Sequence, residues 1–129
     1  MKEKLFYDHD ADSIIMMKKD KAEIENWIAD LEFMNNEIEY LLKIESKILK
    51  STGLRENLLT VRRENTLVLG ILYKYEANQR NVIECDNMKC NAFYLNNHEK
   101  CRNSYLKHIQ RYRELKLFVF SKISNYTSR

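Results

Sequence analysis

The chain has 129 residues, of which 22 are Lys or Arg and 19 are Asp or Glu, so its net charge is only +3. This balance gives no electrostatic reason to expect nucleic acid or an anionic membrane as a partner. With no Pro, two Gly and 32% charged residues, the composition is typical of a mostly helical domain. We expect one domain over residues 1–129 with no membrane span, because no apolar run approaches the roughly 18 residues required.

The N-terminal stretch carries the first candidate ligands. Residues 1–11 lack helical periodicity and predict a loose arm. Within and just after it, Asp8, His9, Asp10 and Asp12 resemble ligands for a hard metal ion, but the Gly turn and closing Glu of a calcium loop are missing. We therefore interpret them as a solvated acidic stretch. The stretch also lacks the apolar core of a signal peptide, and three Cys cannot all pair, so we predict a cytoplasmic location.

The segment from residue 24 to residue 49 organises the rest of the chain. Its apolar residues recur at steps of three and four, the pattern of a helix packed lengthwise against neighbours. The seam consists of Ile24, Trp27, Leu31, Met34, Ile38, Leu41 and Ile48, and it is widened by Ile28, Phe33, Leu42, Ile44 and Leu49. A stripe this wide favours contact with two neighbouring helices. We predict that the residues from Trp27 to Leu41 on this seam are core.

The limits of the first helix follow from capping residues. We expect it to run from about residue 13 to residue 50, although a capping box at Asp20 and Glu23 allows a start near residue 20. Gly53 is expected to end it in the left-handed conformation. Glu45 is the one polar residue on the seam. We expect it near an end of the bundle, where it reaches solvent or an Arg.

Two further helices are predicted at about residues 54–84 and 88–124. Three long helices joined by short turns predict an all-α fold, an antiparallel up-down-up bundle with coiled-coil-like seams. With the turns centred near residues 52 and 88, Leu41, Asn65 and Tyr112 should form one layer. The buried amide of Asn65 would then find its partner in the Tyr112 hydroxyl.

One segment shows a resemblance to known proteins. The run Trp-Ile-Ala-Asp-Leu-Glu-Phe from Trp27 to Phe33, followed by Glu-Ile-Glu-Tyr-Leu-Leu from Glu37 to Leu42, is similar to small helical proteins of flavobacteria and their relatives. The resemblance covers about a fifth of the chain. It implies a cytoplasmic helical bundle and no particular activity.

Four residues have the types of a zinc site with three thiolates and one imidazole: Cys85, Cys90, His98 and Cys101. Their spacing argues against it. If residues from 88 onward are helical, Cys90 and Cys101 lie about 16 Å apart along the axis, whereas ligands of one zinc lie about 2.0–2.3 Å from the ion. We therefore expect free thiols and no metal or other cofactor.

Two sets of side chains suggest how the protein could act. Basic residues on the third helix form a possible stripe for phosphate or nucleic acid: Arg102, Lys107, Arg111, Arg113 and Lys116. Several aromatic residues cannot all face one core and mark a possible partner surface: Tyr73, Phe93, Tyr94, Phe118 and Phe120. We expect a non-enzymatic module that self-associates or docks a partner helix. A nucleic-acid or phosphate-binding regulator is the alternative.

Overall fold

The computed structural model contains three long helices, α1 (Lys2–Ile44), α2 (Thr52–Glu84) and α3 (Met88–Tyr126). It describes the backbone of residues 2–84 and 88–126 and the side chains of residues 15–79 and 96–126. Within those ranges no residue is in a strand, and the helices pack against one another as a three-helix bundle. The predicted all-α class is confirmed. None of the described helices includes a segment with the length and hydropathy that crossing a bilayer requires.

Helix α1 begins much earlier than predicted. The loose arm expected over residues 1–11 is wrong for the backbone of residues 2–11, which continues α1. Neither expected start, near residue 13 or near residue 20, is a helix boundary. The physical reason is that no Gly or Pro interrupts the sequence from Lys2 to Ile44. The side chains of the acidic cluster from Asp8 to Asp12 lie outside the described residues.

The connection between α1 and α2 is tighter than predicted. The last turn of the first helix, Glu45–Leu49, is π-helical, and Lys50 follows in the left-handed conformation (φ 46°) with its N–H bonded to the carbonyl of Glu45 at 2.6 Å. Ser51 then caps α2 by accepting the N–H of Leu54 at its Oγ, 3.4 Å away. The left-handed position predicted for Gly53 is therefore wrong, since Gly53 already lies inside α2.

The core follows the predicted seam. Trp27, Leu31, Met34, Ile38 and Leu41 are all buried, as predicted. Their buried partners on α2 and α3 include Leu54, Leu58, Val61, Leu72, Tyr105, Tyr112 and Val119. The prediction that Phe33 widens the buried seam is wrong, because its side chain points outward and is 64% exposed.

Glu45 lies inside the end of the bundle. Its side chain is 4% exposed, and its Oε1 makes no hydrogen bond. The nearest cation is the guanidinium of Arg55, 3.6 Å away, which confirms the expected arginine partner. Oε1 is thus compensated by the charge of Arg55 and not by a hydrogen bond.

The helices are paired differently from the predicted register. The Asn65 amide nitrogen donates to the Leu31 carbonyl and to Asn35, and its oxygen lies 2.8 Å from His108 Nε2. The predicted layer of Leu41, Asn65 and Tyr112 is therefore wrong. Asn35 comes six residues before Leu41, and His108 comes four residues before Tyr112. The tight turn at Lys50 and Ser51 accounts for about three of the six residues of the first displacement, because it moves the turn centre from residue 52 to between residues 50 and 51 and each residue of that shift moves antiparallel pairing by two.

The three helix pairs are not equivalent. Both α1 and α3 pack closely along α2, whereas their own backbones approach each other at only a few positions. Because both run in the same direction on either side of α2, they form a parallel pair bridged by side chains. We call the outer surface between them the α1–α3 face.

Candidate functional site

A ladder of carboxylate hydrogen bonds joins α1 to α3. Three carboxylates seven residues apart on α1 meet three donors seven residues apart on α3, and each pair is separated by 75 residues in sequence. The pairs are Glu23 with His98, Asp30 with Tyr105, and Glu37 with Tyr112. Two helical turns separate successive rungs, so the repeat keeps them on one side of each helix. We call this set the carboxylate ladder.

Cations complete two of the three rungs. Arg102 lies 2.8 Å from Glu23 Oε1, and Lys116 Nζ lies 2.9 Å from Glu37 Oε2. Burial alone would raise the pKa of each glutamate, but the hydrogen bonds and positive charges of their partners outweigh it and lower the pKa of both. Both groups are therefore carboxylates at neutral pH, and the ladder fixes α1 against α3 by charge-assisted hydrogen bonds.

The first rung is surrounded by further polar groups. His98 is buried, with Nε2 2.6 Å from Glu23 Oε1 and 3.5 Å from Asp20 Oδ1. Its Nδ1 lies 3.0 Å from the Tyr75 hydroxyl. The ring packs at 5.5 Å from the Trp27 ring, which excludes water from that side. The imidazole is thus held between α1 and α2 with both nitrogens engaged.

A second buried histidine, His108, lies ten residues or about 15 Å further along α3. His108 is engaged at Nε2 by Asn65, but its Nδ1 makes no hydrogen bond. The nearest charged atom is Glu64 Oε2, 3.8 Å away, and that carboxylate is held by Arg111. Burial lowers the pKa of His108, and the Arg111 charge adds to this, although Glu64 acts in the opposite direction.

This site makes the stability of the fold depend on pH. An unfolded imidazole takes up a proton near 6.5, whereas folded His108 does so only at lower pH. As pH falls below 6.5 the unfolded chain binds more protons, so the free energy of unfolding decreases. We expect His108→Gln, whose amide can still donate to Asn65, to lose less stability than wild type between pH 7.5 and pH 5. Urea denaturation followed by circular dichroism measures this, and parallel curves for both proteins would contradict it.

The predicted basic stripe is divided among different faces. Arg102 and Lys116 are bound to α1 carboxylates, and Arg111 is bound to Glu64 on α2. Lys107 and Arg113 are exposed on α3, one residue out of phase with each other on the heptad repeat. Three of the five basic groups are therefore neutralised within the bundle, which leaves little of a continuous cationic surface.

The predicted aromatic surface is also dispersed. Tyr73, Phe118 and Phe120 are exposed, and the Tyr73 hydroxyl donates to Glu32 Oε1 at 2.8 Å. Tyr75 is level with His98, so in these antiparallel helices residue 73 is level with residue 100. Phe118 lies eighteen residues further along α3, which is about 27 Å at 1.5 Å per residue. The side chains of Phe93 and Tyr94 are outside the described residues.

The candidate zinc ligands are only partly described. Cys85 and the side chain of Cys90 lie outside the described residues. Because Met88–Tyr126 is one continuous helix, Cys90 and Cys101 are about 16 Å apart along its axis and cannot share one ion. Cys101 is a free, buried cysteine, and burial raises the pKa of its thiol. His98 is turned toward α1.

A different group of exposed apolar residues borders the α1–α3 face. Phe33 and Tyr40 are seven residues apart on α1, and Leu106 and Phe120 are fourteen apart on α3. By helical periodicity each pair lies on the side of its helix next to the carboxylate ladder. Residues that are 75 apart in sequence are level on α1 and α3, so Phe33 is level with residue 108 and lies within two residues of Leu106 along the bundle. Sequence analysis missed this grouping, although the heptad spacing of Glu23, Asp30 and Glu37 could have located the face.

Comparison with protein-family models, curated protein sequences and solved structures finds no significant match. The resemblance of residues 27–42 to small flavobacterial proteins stays a prediction.

Proposed function

We propose that the protein is a non-enzymatic helical module that self-associates through the α1–α3 face. The observation that carries the proposal is the border of exposed apolar residues, Phe33, Tyr40, Leu106 and Phe120, along the one helix pair whose backbones approach least. Large apolar side chains grouped on one exposed face are typical of surfaces that another helix covers. Coiled-coil seams of this kind often bring two copies together.

A second copy is the occupant that the charges favour. Between residues 23 and 39, α1 carries six acidic residues and no basic one. At the same heights, residues 98–114 of α3 carry five basic and two acidic residues. Arg102 and Arg111 are ion-paired within the chain, whereas Lys100, Lys107 and Arg113 are exposed. A two-fold axis parallel to the helices lays α1 of each copy over α3 of the other at equal height. Acidic and basic segments then face each other twice, as a closed two-fold interface requires.

The same arrangement pairs the apolar residues. Phe33 of one copy meets Leu106 of the other, and Tyr40 lies between the heights of Leu106 and Phe120. Arg113, which is exposed within one chain, is level with Glu37 of the second copy. The dimer is thus a coiled-coil-like bundle in which two α1–α3 faces cover each other.

Light scattering after size-exclusion chromatography tests the proposal. We expect wild type to elute with about twice the 15.6 kDa mass of one chain. Leu106→Glu should give a monomer, because it places a carboxylate opposite the acidic segment of the second α1. Since Leu106 is exposed within one chain, the substitution should leave the helical content unchanged.

Leu67→Glu is the matched control. Leu67 is also apolar and 68% exposed, but it lies on the outer side of α2, away from the α1–α3 face. The control should remain a dimer. A wild type that stays monomeric at high concentration, or a Leu67→Glu variant that dissociates as readily as Leu106→Glu, would contradict the proposal.

A reducing, cytoplasmic location is supported by the free thiol of Cys101. The alternative partner, nucleic acid, receives little support from a basic set in which three members are ion-paired. Oligonucleotide binding that weakens steeply with salt would favour that alternative over self-association.

A further inference from the structure

We infer that Asp20, Glu23 and His98 form a binding site for one divalent transition-metal ion, with Zn²⁺ as the best match. The site is a second property of the chain and does not rest on self-association. The ligand atoms of the three residues all lie within 4.8 Å of one another. One imidazole nitrogen with two carboxylate oxygens is a donor set that zinc accepts readily.

The distances fit a tetrahedral ion. Zinc binds nitrogen and carboxylate oxygen at about 2.0–2.2 Å, which puts two of its ligands roughly 3.4 Å apart. His98 Nε2 already lies 3.5 Å from Asp20 Oδ1. The 2.6 Å contact between Nε2 and Glu23 Oε1 is a hydrogen bond that must open by about 0.8 Å to admit the ion. Glu23 is 36% exposed at its side chain and can make that movement.

The surroundings of His98 suit the bound state. An ion at Nε2 takes the place of the proton that bonds Glu23, and the neutral imidazole changes to the tautomer with its one proton on Nδ1. That Nδ1–H then donates to the Tyr75 hydroxyl 3.0 Å away. A hydroxyl accepts or donates, so Tyr75 serves both states of the ring. A hydrogen bond of this kind orients metal-binding histidines.

Charge balance also permits the ion. Two carboxylates neutralise a divalent cation, and Arg102 keeps a partner in Glu99 when its contact with Glu23 loosens. Asp20 and Glu23 lie three residues apart on one face of α1 and are both partly exposed, which gives the ion a path from solvent. Three protein ligands leave the fourth position of a tetrahedral ion to water.

Cobalt(II) titration of the full chain tests the site, because Co²⁺ substitutes for Zn²⁺ and absorbs visible light when bound. Wild type should bind one Co²⁺ with visible bands and without the intense near-ultraviolet absorption of thiolate ligands, and Zn²⁺ should displace it. Asp20→Asn and Glu23→Gln should each weaken binding by about tenfold or more. The control Glu25→Gln, an exposed glutamate on the same helix, should bind as wild type does.

Asp20→Asn is isosteric at a partly exposed position, so it keeps the fold testable, and circular dichroism confirms its helical content. Equal Co²⁺ affinity in Asp20→Asn and Glu25→Gln would overturn the inference. So would thiolate absorption in wild type, since that assigns the ion to cysteine. Failure of wild type to bind Co²⁺ or Zn²⁺ at millimolar concentration would overturn it as well.

Discussion

Replacing Asn65 with Leu should lower the free energy of unfolding by about 3 kcal/mol. Asn65 is fully buried, donates to Leu31 and Asn35, and accepts from His108. The substitution leaves His108 Nε2 buried without an acceptor, and an unsatisfied buried donor costs about 1–3 kcal/mol. Urea denaturation of the single variant, followed by circular dichroism, measures the loss.

The double variant Asn65→Leu with His108→Leu separates the hydrogen bond from the packing. Removing both buried partners leaves no unsatisfied group between them, so at least half of the lost stability should return. Asn35→Ala is the control, since Asn35 is half-buried and its loss should cost about 1 kcal/mol or less. A double variant no more stable than Asn65→Leu would show that the pair is not coupled.

Trp27→Ala should destabilise the bundle by about 4 kcal/mol. The indole is buried, stacks at 5.2 Å on the Tyr105 ring and lies 5.5 Å from the His98 ring. It therefore supplies much of the apolar contact between α1 and α3, whose backbones approach each other least. Equilibrium urea denaturation measures the change in the midpoint.

Two companion variants set the scale. Trp27→Phe retains an aromatic ring beside Tyr105 and should cost less than half as much as the alanine variant. Leu67→Ala removes an apolar side chain that is mostly exposed, so its effect should stay within about 0.5 kcal/mol. A Trp27→Ala variant as stable as Leu67→Ala would show that the stack contributes little.

The spacing of apolar residues was sufficient to predict the fold class and the core of α1. A heptad seam such as that from Ile24 to Leu41 identifies its buried face without knowledge of the partner helices. Phe33 was wrongly included in the apolar stripe of α1, because the number of apolar residues beside the seam does not show where the buried face ends. The sequence did not predict the early start of α1, because residues 2–11 lack apolar periodicity. Such periodicity indicates that a helix packs against a neighbour, and a helix can form without it.

The polar contacts were harder to predict because they depend on register. Asn65 was assigned to Tyr112, but the real acceptor and donor set lies with Asn35 and His108. The register depends on the turn at Lys50. The π-helical end and the left-handed conformation of Lys50 could not be predicted, because no Gly marks that position. The carboxylates on α1 and their donors on α3 each recur every seven residues, and both series are visible in the sequence. Predicting which carboxylate meets which donor also requires the 75-residue separation between them, which only the structure supplies.

The constant 75-residue separation of the ladder also bears on the order in which the protein assembles. Contacts of α2 with α1 or α3 join helices that are adjacent in the chain, whereas each rung closes a loop that includes the whole of α2. Closing a long loop costs chain entropy before any contact compensates for it. We therefore expect the rungs to form after the two hairpins and to hold the folded state mainly by slowing its opening.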